Sequence, residues 1–306
     1  MSRGTPREYT SNQVKSLWHL KGWQLPLLRI YNWPVQSLNP KWSQVPRPVI
    51  GMLHLLPLPG SPSYRGSAQS IRERLLSDAE ALVSGGVNGL MIENFGDVPF
   101  YPDRVPAHVV AQMTSLAQLI RQRFDLPLGI NVLRNDGRSA LAIAHAVGAD
   151  FIRVNILCGA RVTDQGIIQG VAHDLLRDRA TLGAPNIKIL ADVDVKHSAP
   201  LAQRDLRDEV EDTIHRGLAD AVIVSGAGTG KPTDPQHVRA VKDAAGAVPV
   251  FVGSGADAGT ISQLLPHCDG LIVGSALKQS GIATNPVDIQ RVRSLMRAVS
   301  ESVGNQ

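Results

Sequence analysis

The stretch Ala191-Asp-Val-Asp-Val-Lys-His197 sets two carboxylates and an amine at alternate positions. Alternate side chains of a strand share a face, so Asp192, Asp194 and Lys196 point one way and Ala191, Val193 and Val195 the other. Acids beside an amine can move protons, because burial and neighbouring charge shift their pKa values in either direction. Glu93-Asn94 offers a second acid with an orienting amide. The expected catalytic set is therefore Glu93, Asp192, Asp194 and Lys196. Asp192, Asp194 and Glu93 are also the candidate ligands of a divalent metal; no other cofactor signature is evident. The plainer alternative for Asp192 and Asp194 is a structural ion pair, and Arg153, which shares a face with Asn155, is expected to pair with an inward acid.

These residues need elements to hold them. From Val49 onward, short apolar runs alternate with longer amphipathic ones. Strands are expected at Val49–His54, Gly89–Glu93, Leu126–Val132, Phe151–Leu157, Ile187–Lys196, Ala221–Ser225, Pro249–Val252 and Gly270–Val273. Helices are expected over Ser70–Val83, Val105–Phe124, Gly137–Val147, Val171–Thr181, Leu206–Arg216, Pro235–Ala245, Ala258–Leu265 and Pro286–Val299. Eight such repeats over residues 49–306 indicate an α/β protein, a (β/α)8 TIM barrel. A doubly wound open sheet would favour a glycine-rich turn after the first strand, and Gly51-Met-Leu-His54 is not one.

In such barrels chemistry collects at the carboxyl ends of the strands. Those positions hold His54, Glu93, Asn94, Asn131, Arg134, Asn135, Asp136, Arg153, Asn155, Asp192, Asp194, Lys196, His197 and Ser225, a polar set on apolar strands. Cys158 follows the fourth strand, and nothing in the sequence activates it. The last two ends, Val252-Gly-Ser-Gly-Ala-Asp257 and Val273-Gly-Ser-Ala276, are rich in glycine, which lets backbone N–H groups approach a ligand. Phosphate is expected there, aided by the hydroxyls of Ser254 and Ser275 and by a helix starting near Asp257. The alternative is tight turns with glycine for geometry alone. Ser225-Gly-Ala-Gly-Thr-Gly-Lys231-Pro fails the nucleotide-loop pattern at Ser225 and Pro232; it is read as a loop over the mouth whose Thr229 and Lys231 reach a ligand. The expected binding set is Asn131, Arg153, Asn155, Ser225, Thr229, Gly253, Ser254, Gly255, Gly274 and Ser275.

Composition separates the front from the rest. All four tryptophans (Trp18, Trp23, Trp33, Trp42) precede Pro48, together with seven basic residues and only Glu8 as an acid. With a whole-chain charge of +4, the basic character belongs to this segment and gives no reason to expect nucleic acid at the main domain. The boundaries are accordingly 1–47 for a Trp-rich basic extension and 48–306 for the barrel. The extension suits a membrane interface, organelle targeting, or packing on the barrel or a second copy of the chain. Two cysteines without metal spacing fit a reducing compartment. No apolar run reaches the roughly 20 residues of a spanning helix.

Val49-Ile-Gly-Met-Leu-His-Leu-Leu-Pro-Leu-Pro-Gly60, Glu93-Asn-Phe-Gly-Asp97, Gly129-Ile-Asn-Val-Leu-Arg-Asn-Asp136, Phe151-Ile-Arg-Val-Asn155, Ala191–His197 and Val252-Gly-Ser-Gly255 resemble, in order, the signatures of the BtpA/SgcQ family. The resemblance runs from about Val49 to Val299. It implies a barrel of the ribulose-phosphate-binding type. For cyanobacterial members it implies biogenesis or stabilisation of photosystem I, peripheral to the thylakoid membrane; other members resemble enzymes of sugar or nucleoside metabolism. It carries over no catalytic residue. Two functions are thus expected: an assembly factor for a membrane pigment complex, or a hydrolase, transferase or isomerase of a phosphorylated sugar or nucleoside. The expected partners are a phosphorylated small molecule and a membrane or photosystem surface, with self-association left open and the location cytoplasmic or at the thylakoid surface.

Overall fold

The computed structural model describes residues 38–226, 228 and 232–304, all within the compact unit Trp33–Gln306. In chain order the strands are β1 (Val49–His54), β2 (Gly89–Glu93), β3 (Leu128–Asn131), β4 (Phe151–Val154), β5 (Ala160–Thr163), β6 (Gly166–Gln169), β7 (Lys188–Val193), β8 (Ser198–Pro200), β9 (Ala221–Val224), β10 (Val250–Val252) and β11 (Gly270–Val273). Strands β5, β6 and β8 make a small antiparallel sheet; the other eight close into a parallel barrel. The helices are α1 (Ala68–Gly85), α2 (Ala107–Arg123), α3 (Gly137–Val147), α4 (Ala172–Thr181), α5 (Leu206–Glu211), α6 (Pro235–Ala245), α7 (Ile261–Leu264) and α8 (Ile289–Gly304). The expected TIM barrel is the fold.

Local chemistry explains the alternation. Helix α1 opens on a reciprocal Ser67–Ser70 cap, stops at left-handed Gly86, and buries Ile71, Leu75, Ala79 and Leu82 on one face. Barrel strands send one parity toward the helices and the other inward, where Ile50, Met52, Met91, Phe151, Leu190, Ile223, Phe251 and Ile272 form a separate apolar cluster. Gly129 and Gly270 leave the room that Phe151 and Phe251 occupy. Trp42, 1% exposed, closes the amino end of this cluster. Its ring lies 6.0 Å from Phe151 and 6.2 Å from Phe251, and its Nε1 donates to Asn88 O at 2.8 Å. Residues 38–47 thus pack on the barrel, while Trp18, Trp23 and Trp33 lie outside the described residues.

One device recurs around that end. The residue just before a strand accepts an N–H from the first or second residue of the preceding barrel strand: Asn88 from Val49, Asp150 from Leu128, Asp220 from Ile189 and Asp269 from Val250. The three aspartates also meet Arg121, Arg179 and Lys242, each from the helix that leads into the first strand of its pair. Strand, helix and next strand are tied at one atom cluster, which fixes register at the end away from the chemistry.

Two expectations need correction. The stretch after β4 is not a plain loop but the β5–β6 hairpin, completed by β8. The helix expected over Ala258–Leu265 is only the single turn α7 with a 3-10 turn after it. Asp257 Oδ1 accepts the N–H groups of Gly259 and Thr260, which consumes the donors a helix start there would have offered.

Candidate active site at the barrel mouth

Three side chains from neighbouring strands meet around Asp192, which is 6% exposed. Arg153 donates to both its oxygens, Nε to Oδ2 at 2.9 Å and Nη2 to Oδ1 at 2.7 Å. Asn155 Nδ2 adds a bond of 2.8 Å and Ser225 Oγ one of 3.2 Å. A carboxylate receiving four donors has no lone pair left for proton abstraction or a metal. Asp192 therefore holds Arg153, Asn155 and Ser225 in place, which corrects its expected role as a base. Burial opposes the charge of Arg153, and the Asp192 carboxylate more than offsets it, so its pKa is raised.

Asp194 does not join it. The strand ends at Val193, and Asp194 adopts a left-handed backbone with φ 50°, which breaks the alternation and turns the side chain out. Half exposed, it pairs with Arg161 of β5 and comes within 4.0 Å of His237. Asp192, Asp194 and Glu93 do not converge as a metal site, and among the described residues no group of three His, Cys, Asp or Glu side chains could hold one.

Glu93, at the end of β2, is the acid that faces open space. Asn131 Nδ2 donates to its Oε2 at 2.5 Å, and His54 Nε2 lies 3.7 Å from its Oε1. His54 stacks on Phe95 at 4.4 Å and sets Nδ1 3.1 Å from Ala283 O. That bond assigns the proton to Nδ1 and leaves Nε2 as an acceptor beside Glu93. Burial drives the His54 pKa down to about 4; Glu93 opposes the shift, and Lys278 and Lys196 assist it.

Lys196 completes the centre. It lines two cavities together with Glu93, Phe95 and Arg153. The smaller, about 180 Å³, continues to Gly253–Asp257 and Gly274–Ala276. The larger, about 570 Å³, extends to Phe100, Arg134, Asn155, Asp164 and His197. Burial lowers the Lys196 pKa and Arg153 adds to the effect; Glu93 and Asp192 oppose it, and Arg134 reinforces it.

The glycine loops stand at the mouth as expected, though not on a helix end. A side chain at Gly253 would strike Ile223 and crowd Arg153 Nη2 and Ser225 Oγ, and Gly255 has φ 75°, where other residues are strained. Ser254 Oγ accepts the N–H of Gly226, and Thr233 Oγ1 donates to Ser254 O, so the seventh-strand loop is braced by the sixth. Among the described residues no hydrogen bond occupies the N–H groups of Ser254, Gly255 or Ala256. The eighth-strand loop is anchored from behind. Lys278, fully buried, donates to Asp78 Oδ2 of α1 at 2.9 Å, and Val287 N donates to Oδ1 at 2.7 Å.

Of the expected residues, the mouth gathers Glu93, Asn131, Arg153, Asn155, Asp192, Lys196, Ser225, Gly253, Ser254, Gly255, Gly274 and Ser275; Thr229 and Lys231 lie outside the described residues. Sequence reasoning did not single out Phe95, Phe100, Asp164 or Arg291, which also line the cavities. Phe95, Phe100 and Asp164 share one signal, position in the loops after β2 and β5, whereas Arg291 reaches the cavity from the first turn of α8. Cys158 lies off the site. Its Sγ is 3.6 Å from Asp212 O, and burial raises its pKa, as expected of an inert thiol.

Residues 45–301 match the model of the BtpA family. The chain is 47% identical over 260 residues to the photosystem I biogenesis protein BtpA of Synechocystis sp., covering 85% of this chain and 90% of that protein. It is also 47% identical over 255 residues to an uncharacterized protein of Thermococcus kodakarensis, covering 83% of this chain and 96% of that one. The solved structure of N-(5'-phosphoribosyl)anthranilate isomerase from Pyrococcus furiosus matches 83% of this chain and 99% of its own with a TM-score of 0.51, at 12% identity, which is a likeness of fold. With a barrel of this topology, a polar mouth at the ends of its strands and a family match across nearly all of it, the chain belongs to the BtpA family.

Proposed function

We propose that the barrel mouth binds and transforms a phosphorylated sugar or nucleoside, with its phosphate on the loops after β10 and β11 and Glu93 exchanging protons at the reacting carbon. The observation that carries this reading is the run of unoccupied N–H groups at Ser254, Gly255 and Ala256 in a cavity shared with Glu93, Arg153 and Lys196. Successive free backbone N–H groups form a receptor for phosphate oxygens, and Arg291 on the same cavity adds positive charge. The adjoining larger cavity gives space for the rest of the substrate.

Binding to the folded state alone raises stability by about 2.7 kcal/mol at 100 times the Kd, which for a barrel of this size is about 5–10 °C in melting temperature. A shift of that order is expected with inorganic phosphate or a phosphorylated sugar such as ribose 5-phosphate, and none with ribose. Equal response to ribose and its phosphate would sink the reading.

A second reading is favoured by the Synechocystis relative, named for photosystem I biogenesis. There the protein would act at a thylakoid surface, with the basic, Trp-rich residues before Leu38 as the contact. Among the described residues no helix is long and apolar enough to cross a membrane. The two readings are compatible, since a metabolite made in the mouth can support assembly of a complex. Deletion of residues 1–37, which spares Trp42 and the barrel plug, is expected to abolish co-sedimentation with vesicles rich in phosphatidylglycerol. Unchanged sedimentation would remove the arm from that role.

A further inference from the structure

The lysines whose partners are visible in this barrel sit against acids. Lys41 meets Asp125, Lys188 meets Asp220, Lys242 meets Asp269 and Lys278 meets Asp78. Lys196 differs. Among the described residues no hydrogen bond or ion pair engages its Nζ, although it lies in the mouth and lines both cavities. Its backbone is held firmly all the same. Arg134 Nη2 donates to Lys196 O at 2.6 Å, and the preceding Val195 is buried with Ile156 and Ile168 beneath the hairpin. A fixed stem with a free amine is the arrangement a nucleophile needs.

Two roles are open to such an amine: an ammonium that binds an anion, or a neutral nitrogen that attacks a carbonyl. The surroundings favour the second. Burial and the guanidinium groups of Arg153 and Arg134 disfavour the charged form, and the nearest acids are each engaged elsewhere, Asp192 by Arg153 and Glu93 by Asn131. Glu93 lines the same two cavities and can pass protons to and from the reacting atoms.

We propose that Lys196 Nζ forms an imine with the carbonyl carbon of an open-chain phosphorylated sugar. The idea rests on the phosphate reading of the glycine loops and goes beyond it by naming a carbonyl substrate and the residue that bonds to it. The neutral amine adds to the carbon, a C–N bond forms, and the C=O π pair moves to oxygen, which takes a proton. Glu93 accepts a proton from nitrogen and returns it to the hydroxyl, which leaves as water. The nitrogen lone pair then closes the C=N bond, so amine, carbonyl and one proton have become an iminium ion and water. The iminium draws electrons from the neighbouring carbon. Glu93, ionised again, removes a proton there, the C–H pair becomes C=C, and the C=N π pair returns to nitrogen. Reprotonation and hydrolysis restore the amine.

Pyridoxal 5'-phosphate is a phosphorylated aldehyde, and borohydride reduction fixes any imine it forms. With the full chain and one equivalent of reagent, peptide mapping is expected to find the label on Lys196 at least ten-fold above any other lysine. Pyridoxal without the phosphate should label it at least ten-fold more slowly. Dihydroxyacetone phosphate, ribose 5-phosphate and ribulose 5-phosphate, each reduced with borohydride, are expected to leave at least one adduct on Lys196. K196R, its folding checked by its melting temperature, should give none. If inorganic phosphate stabilises the wild-type protein but label spreads over surface lysines, or no sugar phosphate is trapped on Lys196, the imine is wrong and the phosphate site stands. If inorganic phosphate does not stabilise the protein either, the reading beneath the proposal fails and takes the proposal with it.

Discussion

Asp192→Ala is expected to lower unfolding stability by about 3–5 kcal/mol, the range for removing one partner of a buried ion pair. The variant would strand Arg153, which is 3% exposed, and leave the Asn155 amide and the Ser225 hydroxyl without their acceptor. Most of the cost is the penalty on that uncompensated guanidinium rather than the worth of the pair. The double variant Asp192→Leu with Arg153→Met removes both charges and should therefore recover much of the loss. Domains typically hold only about 5–15 kcal/mol in total, so the single variant should show a clearly lower urea midpoint with an unchanged slope. A single variant within about 1 kcal/mol of wild type would mean that Asp192 is not the organiser of the mouth and is free for chemistry.

The alternation of the fifth barrel strand was readable in part. Asp192 does point inward, as the period of two requires, and Arg153 does meet an inward acid. What alternation cannot show is which neighbour saturates which carboxylate. Arg153 stands opposite Leu190 in the β4–β7 register and reaches one layer up to Asp192, so the pairing depends on the stagger of the barrel. Asp194 failed for a different reason. Its positive φ ends the strand, and nothing in Val193-Asp-Val-Lys196 marks that turn.

The phosphate loops were legible through glycine, yet the expected helix donors were not there. Asp257 reads as the start of a helix, and in the fold its carboxylate caps its own turn. The hairpin of β5 and β6 was missed because its runs are four residues each and their turn, Asp164-Gln165, lacks the usual glycine pair. Val162 and Ile167 face each other across that hairpin and are 43% and 58% exposed, so these two apolar residues do not report burial. Trp42 looked like part of an arm by composition, whereas its partners Phe151 and Phe251 lie more than a hundred residues away. In each case the missing information is a contact between residues distant in sequence. The eight strands, by contrast, are set by local pattern and recur with the Asn or Asp that precedes β2, β4, β9 and β11.

Burial of His54 has a consequence for acid stability. Its folded pKa is about 4 against 6.5 for the free side chain, and its ring is 8% exposed. Between those values the unfolded chain binds a proton that the folded protein refuses. Stability therefore rises with pH across the window, and the contribution is lost as pH falls from 6.5 toward 4. The 2.5-unit shift corresponds to about 3 kcal/mol at full extent, at about 1.4 kcal/mol per unit. Other groups titrate in this range, so the measurement must be a difference. His54→Asn keeps a donor near the position of Nδ1 for Ala283 O and cannot take up a proton. The gap in unfolding free energy between the variant and wild type should move in favour of the variant by about 3 kcal/mol from pH 7 to pH 4. The groups facing the ring are Glu93 at 3.7 Å and, farther off, Lys278 and Lys196. A gap that stays constant with pH would show that the ring is protonated in the folded protein, and Nε2 would then be a donor to Glu93 rather than an acceptor beside it.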